Sequence, residues 1–468
     1  METVPSETPP KASSGDREVS PVLQDPAHPP GLEPAYRFAI FNALSSQIVL
    51  GSPMILYAKS LGASATVLGL IAGMMPLLVI LQIPAAQHVL RVGYKPFMMM
   101  GWSARAFIVF GMALVPLTGS FLDATTRLSL LLAAHFLYNF LRGISSGAWL
   151  PWVTGLIPAG MRGSFLTHEQ WYVNMAGAMA FGLSAALLGG GSGAWQYSLV
   201  FLFSGSMGLT SLAFMKRIPD VPVPHEEATA QGPVPWLELA RYKPFLKILE
   251  GNIVWGIVYG GLQTFVVSFL RTMGGLTDSA VLVAMAAFYV GGMASRWVAG
   301  PRMDRLGSKP VLKFTMNLLA VMCVCWCLMA GKVIPVGQAV ALSLLFILGL
   351  GGALFVAAQY RLAMVTIPSM GRSHFFALFS VVLNVTLGVS PLAWGLLIDV
   401  LSGVQAQFLG VEWNRFSIFF GLLALGYIGA LQFTRRLEEP HAAKLEHLLQ
   451  ELLLNDAKKI LSRLGLGN

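Results

Sequence analysis

The chain has 468 residues, of which 55% are hydrophobic and only 11% charged, and its mean hydropathy is +0.66. Soluble domains carry roughly 25% charged residues, so this composition excludes a water-soluble globule and indicates a polytopic membrane protein. The net charge of +9 does not mark a nucleic-acid binder, because the basic residues fall in short turns between apolar runs and form no patch or arm.

Residues 1–35 are rich in Pro, Ser and acids, hold no apolar h-region, and are expected to form a disordered cytoplasmic tail. Runs long enough to span a bilayer follow at about 37–58, 65–89, 97–118, 128–156, 165–189 and 196–215. A Pro-rich polar stretch then separates these from a second set, at about 248–271, 279–299, 310–331, 336–366, 374–401 and 416–434. The expected fold is an all-α membrane protein with about 12 transmembrane helices in two pseudo-symmetric six-helix bundles, 36–216 and 248–437. Residues 217–247 form the linker, whose end (Pro235 to Lys243) reads as a short interfacial helix. Residues 438–468 read as an amphipathic helix, with Leu445, Leu448, Leu449 and Leu452 at helical spacing.

One short motif occurs twice. Arg91-Val92-Gly93-Tyr94-Lys95-Pro96 and Arg305-Leu306-Gly307-Ser308-Lys309-Pro310 each join two apolar runs, 214 positions apart, which indicates a duplicated chain. Asn42 and Gly51 are paralleled by Asn252 and Gly261, and Ile157-Pro158 by Ile367-Pro368. Lys and Arg concentrate in alternate turns: Arg91, Lys95, Arg162, Lys216, Arg217, Arg241, Lys243, Lys247, Arg302, Arg305, Lys309, Lys313 and Arg372 on one side, but only Lys59, Arg127, Arg271, Lys332 and Arg415 on the other. The richer side is expected to be cytoplasmic, which puts both termini there and the protein in the inner (cytoplasmic) membrane. The three cysteines, Cys323, Cys325 and Cys327, lie in one apolar run and read as packing residues.

Residues Gly300-Pro301-Arg302-Met303-Asp304-Arg305-Leu306-Gly307-Ser308-Lys309 resemble the cytoplasmic signature Gly-x-x-x-Asp-Arg-x-Gly-x-Lys/Arg of the Major Facilitator Superfamily, after the eighth helix. The six-plus-six plan and central linker agree with that resemblance, which covers about residues 36–437. It implies a transporter that rocks two bundles about a midplane site, with Gly300, Asp304, Arg305, Gly307 and Lys309 as a gating motif and Arg91, Gly93 and Lys95 as its first-half counterpart. Ala86 and Leu90 stand where that first copy would carry the family's Gly and Asp. The fifth helix lacks the Gly-Pro pair of drug antiporters, while a Ser390-Pro391 pair lies in the eleventh.

Ionisable groups at membrane depth are costly, so they are functional candidates. His135, Asn139, Arg142, Ser146 and Trp149 recur at spacings of 4, 3, 4 and 3, placing them on one face of a continuous helix with Arg142 near mid-span. Arg105 lies about eight residues into the third span and either joins the cavity or snorkels to the interface. Asn42 on the first span, and Tyr259 and Gln263 with Asn252 on the seventh, complete the candidate substrate contacts, because the first and seventh helices of the family line the path. Between Glu33 and Glu169 the only carboxylate is Asp123, in a turn, so a buried carboxylate for proton symport is not expected there and His135 is the titratable alternative.

These features point to a secondary or facilitative transporter of a small solute, with the cationic interior favouring an anion, acting as a monomer in the lipid bilayer, without cofactor, metal or nucleic acid. The alternatives are a non-transporting scaffold or sensor on the same fold, or a drug or metabolite exporter. No phosphate-binding Gly-x-x-x-x-Gly-Lys-Ser/Thr loop is present and no acid/base, nucleophile or metal constellation supports an enzyme.

Overall fold

The computed structural model describes residues 32–158, 161–191, 193–222, 242–366, 372–437, 439, 443 and 445–450. Twelve helical segments are long and apolar enough to cross a membrane: spans 1–6 at Leu32–Ser60, Ala65–Ala86, Tyr94–Ser120, Ala124–Val153, Ser164–Leu188 and Ala194–Met215, and spans 7–12 at Lys243–Thr272, Asp278–Ser295, Ser308–Ala330, Gln338–Thr366, Phe375–Gly403 and Arg415–Arg436. The first helix begins at Leu32, inside the stretch expected to be a tail. The expected interfacial helix at the end of the linker lies mostly outside the described residues, as does the C-terminal helix beyond Leu445–Gln450.

Alternate turns collect at two ends of the bundle. The end that carries the duplicated motif, the linker and residue 437 onward is here termed the basic end; the other is the opposite end. Spans 1, 3, 4, 5 and 6 pack together in the first half, and spans 7 to 12 in the second. The halves meet along span 2 with span 11 and along span 5 with span 8. Small residues allow those approaches: a side chain on Gly69 would strike the Pro391 carbonyl, one on Gly73 the Gly388 carbonyl, and one on Gly177 the Tyr289 ring.

Local signals explain the element ends. Ser64, Asp123, Thr277 and Asn414 sit at helix N-caps and their side chains accept the first free backbone N–H groups. The Asp123 carboxyl, which lies outside the spans, is held below the usual carboxylate range, first by the Thr126 hydroxyl and then by backbone N–H groups. Gly93 (φ 92°) and Gly307 (φ 89°) each end one helix and start the next, so both copies of the motif build the same left-handed corner.

Spans 1 and 7 are broken at matching positions. Span 1 bends at Gly51 between Leu32–Leu50 and Ser52–Ser60. Span 7 breaks at Gly260-Gly261, with Gly261 left-handed at φ 80°, between Lys243–Tyr259 and Leu262–Thr272. A break frees backbone carbonyls inside an apolar medium, and span 11 answers them: Ser390 Oγ donates to the Ile257 carbonyl at 2.7 Å and the Trp394 indole N–H donates to the same oxygen at 2.7 Å.

One short hairpin interrupts an otherwise all-α fold. Gln405–Phe408 and Val411–Asn414 form an antiparallel hairpin, β1 and β2, between spans 11 and 12. Leu409 (φ 52°) and Gly410 (φ 75°) supply the two left-handed residues that a tight hairpin turn needs. The hairpin covers the end of span 9: Asn414 Nδ2 donates to the Ala330 carbonyl at 2.7 Å, and Lys332 pairs with Glu412 at 2.7 Å.

Gly307→Ala should destabilise the protein by about 1–2 kcal/mol, because a Cβ at positive φ meets the adjacent carbonyl. Gly182→Ala lies in a helix where a Cβ meets nothing within 4 Å, so it should be neutral or slightly stabilising. Thermal unfolding of the purified variants should show these opposite directions; equal melting points would refute the strained-corner assignment.

Candidate functional site

Span 3 places Trp102 and Arg105 one turn apart, and span 4 brings Tyr138 and Arg142 beside them. Arg105 is 3% exposed. Its guanidinium carbon stands 4.3 Å from the Trp102 ring centre and 4.6 Å from that of Tyr138. Arg105 Nη2 donates to the Tyr138 hydroxyl at 2.7 Å, while Nε and Nη1 are buried without a partner. It therefore does not snorkel; two aromatic faces hold it inside the half. Trp102 in turn donates its indole N–H to Asn42 Oδ1 of span 1 at 3.0 Å.

Arg142 is half-buried and makes no hydrogen bond or ion pair among the described residues. The charged and polar groups that act on it are Arg105 and Tyr138, with no carboxylate among them. Two guanidinium groups thus lie near each other in a low-dielectric setting with several donors unused. A charge so placed is costly unless something compensates it. A planar oxyanion matches the fork of an Arg and would satisfy the free donors of both.

Ser146 and Trp149 do not continue that face. The α-helix ends at Ser145 and gives way to a 3₁₀ turn at Ser146–Ala148 before a new helix at Trp149–Leu156. The tighter turn shifts the phase that the spacing assumed. His135 and Asn139 are each 1% exposed, and His135 points into span 2. His135 Nε2 lies 3.2 Å from the Ile71 carbonyl and 3.0 Å from Asn139 Nδ2. Asn139 Nδ2 donates to the His135 carbonyl at 2.9 Å. Ser146 accepts from Gln82 Nε2 at 2.8 Å.

In the second half, Gln359 Nε2 donates to Asn252 Oδ1 at 2.8 Å, a tie between spans 10 and 7. Trp255 is stacked between Phe355, at 3.5 Å between ring centres, and Tyr259, at 4.4 Å. Tyr259 and Gln263 are half-buried, but the Gly260-Gly261 break lies between them, so they do not continue one helix face.

One residue escaped the sequence reading. Glu169 is two turns inside span 5, within the membrane segment, and accepts the Trp149 indole N–H on Oε1 at 3.0 Å. Its other oxygen has no hydrogen bond among the described residues. Tyr36 of span 1 stacks on Phe165 at 5.1 Å, lies 5.2 Å from Tyr172, and is close to the Glu169 carboxylate. A carboxylate among aromatic faces can hold a proton or a cation. Counting residues from Arg162 assigns Glu169 to a helix end, and no motif marks its tie to Trp149. Among the described residues, no group of three His, Cys, Asp or Glu side chains is placed to hold a metal.

At the basic end, the lysines of the two motifs do the same work. Lys95 Nζ donates to the Lys216 and Ile218 carbonyls at 2.9 and 2.8 Å, and Lys309 Nζ donates to the Leu437 carbonyl at 2.8 Å. Each lysine thus satisfies the C-terminal carbonyls of the last helix of its own half. Glu439 caps the start of span 9, accepting from the Ser308 and Lys309 N–H groups at 2.9 and 2.8 Å, and pairs with Arg361 at 2.7 Å. Gly300 and Asp304 lie in the helix Asp278–Leu306, and Arg91 and Arg305 are exposed at the same end.

The opposite end is closed across the halves. Asp399 of span 11 accepts from the Ala65 and Thr66 N–H groups at 3.0 and 2.8 Å and from the Thr66 hydroxyl at 2.7 Å. Asp278 of span 8 accepts from the Tyr197 hydroxyl of span 6 at 2.7 Å and pairs with Arg271 at 2.5 Å. Ser279 Oγ donates to the Ala185 carbonyl at 2.8 Å, and the Tyr289 hydroxyl to Gln47 Oε1 at 2.6 Å. The second segments of spans 1 and 7 also touch there. These hydrogen bonds between the halves fall on the opposite side or near mid-depth.

The profile of the Major Facilitator Superfamily matches residues 36–391. No curated protein matches the chain by sequence. Solved structures share its architecture at low identity. The D-xylose–proton symporter superposes with a TM-score of 0.69 at 14% identity, over 88% of this chain and 99% of its own. The xylose transporter XylE from E. coli in its inward open conformation gives 0.64 at 14% identity, over 89% and 98%. The nucleoside transporter NupG gives 0.64 at 11% identity, over 87% and 98%. Identities this low establish the fold and no more.

Asp399→Asn and Asp278→Asn each weaken a charge-assisted contact between the halves. Such contacts contribute about 1.5–3 kcal/mol, enough to shift a two-state population by tenfold or more. Spin labels on spans 1 and 7 beyond Gly51 and Gly261 should report longer distances in the double variant. Unchanged distances would remove these carboxylates from the gate.

Proposed function

The chain belongs to the Major Facilitator Superfamily, and from that premise we propose that it transports a small anionic solute held by Arg105 and Arg142. It is an integral membrane transporter and not an enzyme. The observation that carries the anionic reading is the pair itself: two neighbouring arginines in the first half, Arg105 with two buried unpaired nitrogens and Arg142 with no partner among the described residues. Asn42 enters through Trp102, which it orients against Arg105. His135 and Asn139 act as packing that fixes span 4 against span 2, and Tyr259 with Gln263 forms the facing wall in the second half.

Transport follows alternating access. The two bundles, 36–216 and 248–437, rock about the site while the contacts at Asp399 and Asp278 break and re-form. The Lys/Arg bias assigns the basic end to the cytoplasm, so the contacts at Asp399 and Asp278 shut the outer side. Cysteines introduced at Ser13, Ala228 and Gly465 should resist an impermeant thiol reagent in intact cells and react after permeabilisation. Labelling from outside reverses the orientation.

Arg142 provides the test of the solute class. A panel of small carboxylates, phosphates and neutral analogues, applied to the purified protein, should raise the melting point only for anions, since a ligand stabilises by mass action. Arg142→Lys keeps the charge but loses the planar fork, and should weaken that anion's binding by about tenfold or more. Arg142→Gln should abolish anion recognition and leave a folded protein, because removing an uncompensated charge relieves the ligand-free state. A well-folded Gln variant that binds the same anion normally would falsify the assignment. A structural arginine would instead lower expression and melting point first.

A further inference from the structure

A second cationic site lies at the basic end, away from the central path. A cavity of about 600 Å³ separates the start of span 9 from the end of span 12 and is closed on one side by the helix Leu445–Gln450. Lys309, Lys313, Asn317, Leu431, Arg435 and Leu445 line it, together with Glu439 and Glu446. The carboxylates do not neutralise it. Glu439, with a side chain 4% exposed, is already engaged by two backbone N–H groups and Arg361, and Glu446 is a single exposed charge. Lys313 has no hydrogen bond or ion pair from its amino group among the described residues, and Arg435 reaches only Gln432, at 3.2 Å. Lys313 and Arg435 therefore face the cavity with Glu446 as the one lining carboxylate outside that cap.

Its depth identifies the ligand. Lys309 is the second residue of span 9 and Arg435 the penultimate residue of span 12. Lys313 is roughly 6 Å further in at 1.5 Å per residue. These groups stand at the level of lipid phosphates, not of the hydrocarbon. Deeper along the same two spans, Val321, Val324, Leu425 and Ile428 are 63%, 44%, 66% and 52% exposed. A phosphate with an attached acyl chain meets both requirements, because the cations take the head and the exposed aliphatic faces take the tail. We propose that this cavity binds the head group of an anionic phospholipid, with Lys313 and Arg435 as its principal phosphate contacts.

The full-length protein in nanodiscs can be compared in phosphatidylcholine alone and with phosphatidylglycerol added, reading retained lipid by native mass spectrometry and melting point by thermal shift. The protein should retain phosphatidylglycerol selectively and melt higher with it. A basic residue near an anionic lipid surface contributes about a fivefold preference, so Lys313→Gln with Arg435→Gln should cut selective retention by roughly tenfold or more. Lys313→Arg should preserve it. Arg217→Gln, an exposed cation at the same end of the first half, should leave it unchanged. Equal retention of both lipids by the unaltered protein, or unaltered selectivity in the double variant, overturns the proposal. So does an equal melting shift from inorganic phosphate in phosphatidylcholine discs, which would make the cavity a site for the free anion.

Discussion

Inside a bilayer there is no water to satisfy an unpaired backbone group or a lone charge, and the whole structure answers to that. It explains why the irregular points of the chain are the informative ones. Span 7 breaks at Gly260-Gly261, and the carbonyls it releases are met at once by Ser390 and Trp394 of span 11. The lysines of the two basic turns meet the last carbonyls of spans 6 and 12. Arg105 is a buried charge with two nitrogens left over, and Arg142 beside it has no partner among the described residues.

The two closures at the opposite end use the same chemistry in different dress. Asp399 of the second half grips the N-terminus of span 2, where free N–H groups and the helix dipole favour a carboxylate. At the matching junction of spans 5 and 8, the donor is the Ser279 hydroxyl and the acceptor is the Ala185 carbonyl. One junction is therefore charge-assisted and the other neutral. The Asp278 contacts with Tyr197 and Arg271 add charge beside the neutral junction. Contacts of this kind are strong enough to hold one state and few enough to be exchanged for another, as alternating access demands.

Much of the scaffold is legible in the sequence because long apolar runs and Gly-centred basic turns are local signals. Gly93 and Gly307 could be read as corners from their setting between two runs, and both adopt the left-handed conformation. Arg142 was legible because a charge at mid-span has no bland explanation in lipid. The aromatic sandwich around Arg105 was not, since it needs Tyr138 from another span. Nor could spacing place His135 and Asn139: periodicity says which residues share a face and is silent on which neighbour that face meets. The face argument also assumed unbroken helices, and failed where the 3₁₀ turn at Ser146 and the break at Gly261 reset the phase. The β1–β2 hairpin was hidden because its strands are four residues each and carry no strong alternation.

Duplication has copied the frame but not the chemistry. Matching caps at Ser64 and Thr277, matching corners at Gly93 and Gly307 and matching breaks at Gly51 and Gly261 keep the halves superposable. The interior of the first half holds Arg105, Arg142 and Glu169. The second half offers, among the described residues, the Asn252–Gln359 bond and the Phe355–Trp255–Tyr259 stack. A rocking mechanism tolerates such a division. If the charged groups sit in one rigid half, the electrostatic environment of a bound ion changes little as the other half swings past. The neutral aromatic wall then closes over the solute without having to desolvate charges of its own at each cycle, which would add a barrier to the transition.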